Sequence, residues 1–308
     1  MITGNTVLTG LLGSPVKHSR SPLMHNKAFE LLDLDYRYLC FEVDESGLEK
    51  AVEGLRTLGA RGFNLTMPNK SKMCSLCDKL DVGARVCGAV NTVVNDNGVL
   101  TGYTTDGKGF MKASEEAGFP LPGKKITMLG AGGAASAIIV QAALDGVQEI
   151  NIFCRKGPSF ERATRIAEEL EALKLSGDVS MPEEKRADEV NCGFSIKVGD
   201  ISDEDALMES IKRSDVLING TPVGMSPDID KCVIRDELFS DKKVFNESLV
   251  VSDIIYEPSR TKLLRLAGEA GCRTYSGMYM LLYQGAESFR LWTGQDMPTE
   301  TIKKLYFS

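Results

Sequence analysis

Lys-Ile-Thr-Met-Leu-Gly-Ala-Gly-Gly-Ala-Ala, at residues 125–135, joins an apolar strand to a glycine-rich turn. The turn from Gly130 to Ala135 fits the pattern Gly-x-Gly-x-x-Ala, and the small and apolar residues over 136–145 are typical of a helix. Glycines in such a turn let the backbone approach a diphosphate at the N-terminus of the helix that follows. The context predicts a strand, turn and helix that bind a dinucleotide; the alternative is a tight turn that binds nothing.

The strand predicted to follow ends in two cations. It covers Glu149–Cys154, and Arg155 and Lys156 come directly after it, with no acidic residue before Glu161. An acidic side chain at this point would accept the ribose hydroxyls of NAD, whereas cations suit the 2′-phosphate of NADP. The residues therefore favour NADP, with NAD as the alternative if both cations are merely solvated.

Strand and helix patterns alternate along the chain. In the first half, strands are predicted over residues 6–13, 36–43, 62–66, 89–95 and 99–104, and helices over 22–32, 48–58 and 69–80. The alternation starts again at residue 125, with strands over 125–129, 149–154, 195–198 and 216–219 and helices over 136–145 and 161–173. Residues 176–191 are polar without periodicity and are predicted to form a loop or mobile insertion. The pattern predicts an α/β protein with mostly parallel sheets. The helical residues 278–292 are expected to return to the first domain by analogy with other two-domain α/β enzymes, since the pattern alone does not show it.

Composition excludes several classes of protein. The 308 residues are 43% apolar and 26% charged, and the net charge of −7 does not favour a nucleic-acid partner. The N-terminus lacks the pattern of a signal peptide, and no apolar run approaches the ~18 residues of a membrane helix. Eight scattered cysteines favour reduced thiols in a cytoplasmic protein. The Cys74–Cys77 pair has no matching ligands at zinc spacing, so no metal site is predicted.

Four polar clusters precede the glycine turn. Ser19 to Pro22 lies at a predicted helix start, and the segment Gly62-Phe63-Asn64-Leu65-Thr66-Met67-Pro68-Asn69-Lys70 places polar side chains and a lysine at a strand end. Asn91 and Asp106 follow in apolar or small-residue contexts. Each cluster alone also fits a helix cap, a turn or a solvated strand end. Together they are expected to line one cleft for a small, oxygen-rich molecule.

The motifs resemble those of the shikimate dehydrogenases, including their quinate/shikimate relatives, nearly from end to end. The segments at 19–26, 62–70 and 88–92 are similar to the family patterns S-x-S-P-x-x-H-N, G-x-N-V-T-x-P-x-K and G-A-V-N-T. Those at 219–225, 253–258 and 277–289 resemble N-x-T-P-x-G-M, D-x-x-Y-x-P and the terminal G-x-x-M-L-x-x-Q-G-A helix.

The resemblance implies a role for each matching residue. Lys70 and Asp106 would be the catalytic pair. The substrate would contact Ser19, Ser21, Asn64, Thr66, Asn91, Tyr256 and Gln284. The cofactor would contact Gly130, Ala131, Gly132, Gly133, Ala134, Arg155, Lys156, Ile254 and Gly277. Residues 1–105 and 277–308 would form the substrate domain, and 106–276 a Rossmann-type NADP domain.

Two positions depart from the family patterns. Thr104 stands where the family has an asparagine in G-x-N-T-D, which predicts a weaker or altered hydrogen bond near Asp106 without loss of activity. Residues 154–160 are closer to the R-[RK]-x-x-F run of the quinate/shikimate subgroup than to the biosynthetic N-R-T, and Gly157 lacks the aspartate that favours NAD. Cofactor preference and substrate range therefore stay open.

Three functions follow from these observations. The first is reversible NADPH-dependent reduction of 3-dehydroshikimate to shikimate, on the route to aromatic amino acids. The second is a quinate/shikimate dehydrogenase that uses NAD or NADP in quinate utilisation. The third is a regulatory binding protein without turnover, against which the intact Lys70 and Asp106 pair argues. The resemblance also suggests a homodimer.

Overall fold

The computed structural model describes residues 2–176 and 193–307, so the predicted loop over 176–191 lies outside the described residues except for Ser176. The chain divides into two compact units. Unit 1 comprises residues 1–109 and 281–308, and unit 2 comprises residues 110–280. The helices that follow residue 280 therefore belong with the first half of the chain, as predicted.

Up to residue 116 the structure contains six strands and four α-helices within the described residues. The strands are β1 (Val7–Gly13), β2 (Tyr36–Glu42), β3 (Gly62–Leu65), β4 (Lys79–Leu80), β5 (Thr92–Asp96) and β6 (Val99–Tyr103). The helices are α1 (Ser21–Leu31), α2 (Leu48–Thr57), α3 (Val82–Cys87) and α4 (Asp106–Glu116), with a 3-10 helix over Lys72–Leu76.

A second series of elements begins at residue 125. Its strands are β7 (Lys125–Leu129), β8 (Glu149–Cys154), β9 (Ser195–Asp200), β10 (Val216–Asn219), β11 (Val250–Asp253) and β12 (Arg273–Ser276). Its helices are α5 (Gly133–Leu144), α6 (Pro158–Ser176), α7 (Glu204–Arg213) and α8 (Lys262–Ala270), with a 3-10 helix over Asp236–Ser240. Two further helices, α9 (Met278–Thr293) and α10 (Thr299–Tyr306), complete the described chain.

Unit 1 is built on a mixed sheet. The strand order is β2-β1-β3-β5-β6-β4, and β1 runs parallel to both β2 and β3. β5 runs antiparallel to β3 and β6, whereas β4 joins the edge parallel to β6. The buried face of α2 carries Leu48, Val52 and Leu55 at helical spacing, which pack on Phe63 and neighbouring strand residues.

Unit 2 contains a parallel sheet in the order β9-β8-β7-β10-β11-β12. Counted from β7 as the first strand of this unit, the order is 3-2-1-4-5-6, which is the Rossmann arrangement. α5 is apolar on most of its surface and largely buried, as expected for a helix that covers a parallel sheet. The predicted α/β class with a Rossmann-type domain is confirmed.

The helix predicted over residues 69–80 is wrong. The amide of Val90 donates to the Lys70 carbonyl at 2.9 Å, so this carbonyl is paired outside the segment. The Cys74 amide bonds to the Ser71 carbonyl at 3.3 Å, which is 3-10 geometry. Lys79 and Leu80 pair with β6 as strand β4. Tertiary hydrogen bonds therefore limit this segment to one short 3-10 helix.

Candidate active site

Lys70 and Asp106 form an ion pair in unit 1. Lys70 Nζ lies 2.6 Å from Asp106 Oδ2, and the two side chains are 25% and 11% exposed. Asp106 is the first residue of α4, where the helix dipole favours a carboxylate. The structure thus pairs the two residues predicted to be catalytic, and leaves the ammonium group partly open to solvent.

The backbone around Lys70 is fixed from two sides. After β3 the chain makes a turn in which the Asn69 amide donates to the Thr66 carbonyl at 2.9 Å. The Asn69 side chain is buried and donates to the Val43 carbonyl at 2.8 Å, and Val90 holds the Lys70 carbonyl as described above. Lys70 therefore extends from an anchored turn and not from a free loop.

Asn91 holds the second oxygen of Asp106. Asn91 Nδ2 donates to Asp106 Oδ1 at 2.9 Å, and the Thr105 backbone amide donates to Asn91 Oδ1 at 2.7 Å. Because a backbone N–H can only donate, Asn91 Oδ1 must face Thr105, and Nδ2 must face the carboxylate. Asp106 therefore has a cationic donor on one oxygen and an amide donor on the other.

Local sequence explains how Asn91 reaches this position. Asp81 caps α3 by accepting from the Ala84 amide at 2.7 Å, and burial raises the pKa of this carboxyl group. Gly88 ends the same helix with φ of +65°, a left-handed conformation that favours glycine. The three residues that follow Gly88 bring the chain to Asn91, directly before β5.

Thr104 does not contribute to the hydrogen bonds of Asp106. Its side chain is buried, and its methyl group lies 3.2 Å from the point that a Cβ atom on Gly83 would occupy. In the part of the chain that the structure describes, the side chains that contact the Asp106 carboxylate belong to Lys70 and Asn91. The effect predicted for the missing asparagine stays a prediction.

Asn64 joins a cluster of buried hydroxyl groups. Its Nδ2 lies 3.1 Å from the Asn91 carbonyl and 3.0 Å from both Thr92 Oγ1 and Ser288 Oγ. Ser288 Oγ lies 2.8 Å from Thr92 Oγ1 and 3.3 Å from Thr105 Oγ1. The cluster connects Asn64 to Asn91, and so to Asp106.

Sequence reasoning missed the hydroxyl residues of this cluster. Thr92 follows Asn91 in its motif, and Ser288 lies four residues after Gln284, on the same face of α9. This helical spacing was a usable signal for Ser288. Tyr38, which contacts Asn64 from β2, has no comparable signal in the sequence.

The other predicted substrate residues have varied surroundings. Gln284 Oε1 accepts from Asn91 Nδ2 at 3.3 Å, so α9 reaches the same group of residues. Ser19 Oγ accepts from the Ser21 amide at 3.2 Å, next to the N-terminus of α1, where no side chain caps the helix.

Thr66 packs its methyl group against Gly13, where a Cβ atom would overlap it. Tyr256 belongs to unit 2 and is 54% exposed, in the loop after β11.

The glycine turn of unit 2 fits a bound diphosphate. Gly130 has φ of +92°, and a Cβ atom there would lie 2.8 Å from Thr221 Cγ2. Gly132 precedes α5 without a side-chain cap, and nothing lies within 4 Å of a Cβ position on Gly133. The 12-residue helix α5 therefore begins without a side-chain cap, and there is room for a ligand beside Gly133, as an anion site at a helix N-terminus requires. Ala131 and Ala134 lie in this turn and in the first turn of the helix.

The two cations after β8 differ in their partners. Lys156 Nζ lies 3.5 Å from Asp200 Oδ2 at the end of β9, and Arg155 is exposed. Among the described residues, Arg155 has no ion-pair partner. Arg155 is therefore the cation of the two that is better placed to bind an anion.

Ile254 and Gly277 are neighbours. The Gly277 amide donates to the Asp253 carbonyl at 2.6 Å, and a Cβ atom on Gly277 would lie 2.7 Å from Ile254 Cα. Asp253 is buried and accepts from Asn219 Nδ2 at 3.1 Å and from Thr261 Oγ1 at 2.7 Å. Burial raises the pKa of the Asp253 carboxyl group. This network joins the motifs at 219–225 and 253–258.

Neither a metal cluster nor a membrane helix is found in residues 2–176 and 193–307. They contain no group of three or more His, Cys, Asp or Glu side chains that could hold a metal ion. None of the helices in these ranges is long and apolar enough to cross a membrane. Their seven cysteines are free thiols, and burial raises the pKa of Cys77 to about 12.

Comparison with known proteins identifies the family. Residues 11–93 match the shikimate dehydrogenase substrate binding domain, and residues 277–305 match the shikimate 5′-dehydrogenase C-terminal domain. A Listeria innocua protein named shikimate dehydrogenase (NADP(+)) is 44% identical over 306 residues, 99% of this chain and 97% of the relative. An Escherichia coli protein named quinate/shikimate dehydrogenase is 40% identical over 304 residues, 99% of this chain and 98% of the relative.

The fold agrees with this comparison. The crystal structure of shikimate 5-dehydrogenase from Listeria monocytogenes, in complex with shikimate and NAD, has a TM-score of 0.87 to this structure. The two chains are 43% identical, and the match covers 99% of this chain and 97% of the other. The chain belongs to the shikimate dehydrogenase family.

Proposed function

We propose that the protein is an NADP-dependent shikimate dehydrogenase, which catalyses the reversible reduction of 3-dehydroshikimate to shikimate on the route to aromatic amino acids. The observation that carries the proposal is the Lys70 and Asp106 pair, 2.6 Å apart and further held by Asn91. A protein that only binds ligand has no need of an oriented ammonium group beside a carboxylate. Membership of the shikimate dehydrogenase family indicates which reaction this pair would catalyse.

Reduction of a ketone needs a hydride on the carbon and a proton on the oxygen. NADPH supplies the hydride when it is bound. Lys70 Nζ is the proton donor, since its ammonium group carries three N–H bonds and Asp106 Oδ2 engages one of them. In the oxidative direction Lys70 must first lose a proton to solvent, and the neutral amine then takes the proton from the substrate hydroxyl. Asp106 orients Lys70, and Asn91 orients Asp106.

The remaining polar residues bind the substrate. Ser19 and Ser21 hold its carboxylate at the N-terminus of α1, where backbone N–H groups and the helix dipole favour an anion. Its hydroxyl groups are bound by Asn64, Thr66, Asn91, Tyr256 and Gln284.

NADP is the preferred cofactor under this proposal. The turn from Gly130 to Ala134, with Ile254 and Gly277, holds the dinucleotide in unit 2. Arg155 binds the 2′-phosphate, and Lys156 contributes less because it is paired with Asp200. NAD stays a second cofactor, because the relative from Listeria monocytogenes was crystallised with it.

Quinate is a second candidate substrate. The relative from Escherichia coli is named for both quinate and shikimate, and the run after Cys154 is similar to that subgroup. Oxidation of quinate would use the same pair, Lys70 and Asp106, on the corresponding hydroxyl group.

A steady-state assay tests the proposal directly. Reduction of NADP and of NAD is followed with shikimate and with quinate, and kcat/KM is compared for the four pairs. We expect the highest value with shikimate and NADP. A higher value with quinate and NAD would support the catabolic alternative, and no turnover with any pair would support the binding protein.

Three further assignments belong to the same proposal. Residues 1–105 and 277–308 form the substrate domain, and 106–276 the NADP domain; the units seen in the structure divide the chain within a few residues of these boundaries. The protein is cytoplasmic and forms a homodimer. Light scattering coupled to size-exclusion chromatography tests the dimer, for which a monomeric mass would be the contrary result.

A further inference from the structure

Tyr38 is a buried tyrosine on β2, the edge strand of the unit 1 sheet. Its ring stacks on His25 with centroids 4.5 Å apart and an angle of 12° between the planes. The Trp292 ring lies 6.0 Å away and is tilted by 41° to the Tyr38 ring. Aromatic contacts from α1 and α9 therefore fix the position of this ring.

Asn26 fixes the backbone of the same residue. Asn26 Nδ2 donates to the Tyr38 carbonyl, and the Tyr38 amide donates to Asn26 Oδ1, both at 2.9 Å. An edge strand leaves such groups without a strand partner, and the asparagine side chain takes the place of one. The adjacent residues His25 and Asn26 thus hold the ring and the backbone of Tyr38.

The Tyr38 hydroxyl contacts Asn64, one of the predicted substrate residues. It donates to Asn64 Oδ1 at 2.8 Å in a buried environment. Burial raises the pKa of the phenol well above its usual value, and an interaction with the Ser21 side chain acts in the opposite direction. The Tyr38 hydroxyl group therefore meets Asn64 on β3 in a buried position.

Asn64 depends on this contact because its other donors are occupied. Asn64 Nδ2 carries two hydrogens and has three protein acceptors within 3.1 Å. Its Oδ1 atom keeps one lone pair beyond the one that Tyr38 engages. Asn64 can therefore meet a substrate hydroxyl only as an acceptor, through an atom whose position Tyr38 controls.

We propose that Tyr38 is a positioning residue for substrate binding, that its hydroxyl group fixes the Asn64 side chain, and that His25 and Asn26 act by holding Tyr38. The inference rests on the proposed function, because it takes shikimate as the ligand. The proposal gives His25 and Asn26, the last two residues of the motif at 19–26, a structural role. They position Tyr38, and neither residue need contact the substrate.

The test is Tyr38→Phe, which keeps the ring and removes only the hydroxyl group. Tyr36→Phe is the matched control, since Tyr36 lies on the same strand and its hydroxyl makes no hydrogen bond to any residue that the structure describes. We expect Tyr38→Phe to raise KM and Kd for shikimate about tenfold, because Asn64 Oδ1 loses its buried donor. The kcat should change less than about threefold, and KM for NADP should not change.

Ser288→Ala changes the surroundings of the Asn64 side-chain amide from another element, α9. It removes an acceptor of Asn64 Nδ2 from α9 and should shift KM for shikimate in the same direction. If Tyr38→Phe does not fold, Asn26→Asp decides the question, because it replaces the donor that holds the Tyr38 carbonyl and should also raise KM for shikimate. A purely structural role would lower the melting temperature of either variant and leave the KM for shikimate unchanged.

The outcomes separate the inference from the proposed function. A wild-type enzyme that oxidises shikimate, with Tyr38→Phe equal to Tyr36→Phe in KM, overturns the inference alone. A fall in kcat at constant KM also overturns it, because the hydroxyl group would then act in the chemical step. A wild-type protein without shikimate turnover or binding overturns both.

Discussion

Lys70 is the residue whose replacement should cost the most activity. We expect Lys70→Ala to lower kcat for shikimate oxidation by about 10²-fold or more, with little change in KM, because the variant lacks the group that we propose exchanges a proton with the substrate oxygen. Lys72→Ala is the control, since Lys72 lies two residues away and bonds to the Glu45 carbonyl on an exposed surface. Steady-state kinetics with NADP checks both variants. A Lys70→Ala variant that keeps its kcat and binds shikimate poorly would make Lys70 a binding residue.

His25 should make the protein sensitive to acid. Burial lowers its pKa from 6.5 to about 3, and neither ring nitrogen has a hydrogen-bond partner among the described residues. The folded protein therefore keeps His25 neutral while the unfolded chain takes up a proton below pH 6.5. Stability should fall as the pH decreases through this range, by about 2 kcal/mol at pH 5.

Two histidine variants isolate this effect, because the chain contains only two histidines. Denaturant unfolding between pH 7.5 and about 4.5 is compared for wild type, His25→Gln and the exposed control His18→Gln. His25→Gln should show a smaller loss of stability towards acid, whereas His18→Gln should follow the wild type. If the free energy of unfolding fell with decreasing pH equally steeply in the two variants, His25 would be protonated in the folded state.

At the level of single residues, motifs predicted the ionic part of the site, and tertiary contacts set the rest. Lys70, Asp106 and Asn91 stand in recognisable segments, and the structure brings them together. Tyr38 lies in a strand whose pattern shows only alternation, so its contact with Asn64 follows from how β2 and β3 flank β1. A residue that acts through another residue leaves little trace in a single sequence.

The end of β8 is the element that should set cofactor preference. We expect Arg155→Ala to raise the KM for NADP about tenfold or more and to change the KM for NAD little, because only NADP carries the 2′-phosphate. Lys156→Ala is the matched control and should have a smaller effect, since Lys156 is paired with Asp200. The KM of each of the two variants for each of the two cofactors is measured from initial rates at saturating shikimate. If Arg155→Ala changed the KM for NADP and the KM for NAD equally, Arg155 would not be the residue that binds the 2′-phosphate.

Secondary structure was predictable where the signal was local. The turn between β5 and β6 contains Asn97 and Gly98, both with positive φ, and this dipeptide is a strong hairpin signal that explains the antiparallel pairing. The helix expected over 69–80 failed because Val90 and β6 pair with that segment from outside it. The hydrophobic periodicity of a short segment carries no information about hydrogen-bond partners that are distant in the sequence.

The whole of unit 1 depends on the return of the chain after residue 280. Trp292 on α9 is buried, and its Nε1 atom donates to the Val93 carbonyl on β5 at 2.9 Å. Arg61 Nε donates to the Trp292 carbonyl at 2.9 Å, just before β3 begins. Contacts between α9 and residues 61–93 therefore complete unit 1.

Gly62, the first residue of β3, should be intolerant of any side chain for this reason. A Cβ atom there would overlap the Trp292 indole nitrogen and the Val93 carbonyl, so Gly62→Ala must displace α9 or β5. We expect a loss of about 3 kcal/mol in the free energy of unfolding, measured by circular dichroism in urea. Gly54→Ala is the control, because Gly54 lies within α2 with nothing within 4 Å of its Cβ position. It should be neutral or stabilise by up to about 1 kcal/mol through helix propensity. If both variants were equally stable, the contact between β3 and α9 would not hold the two ends of the sequence together.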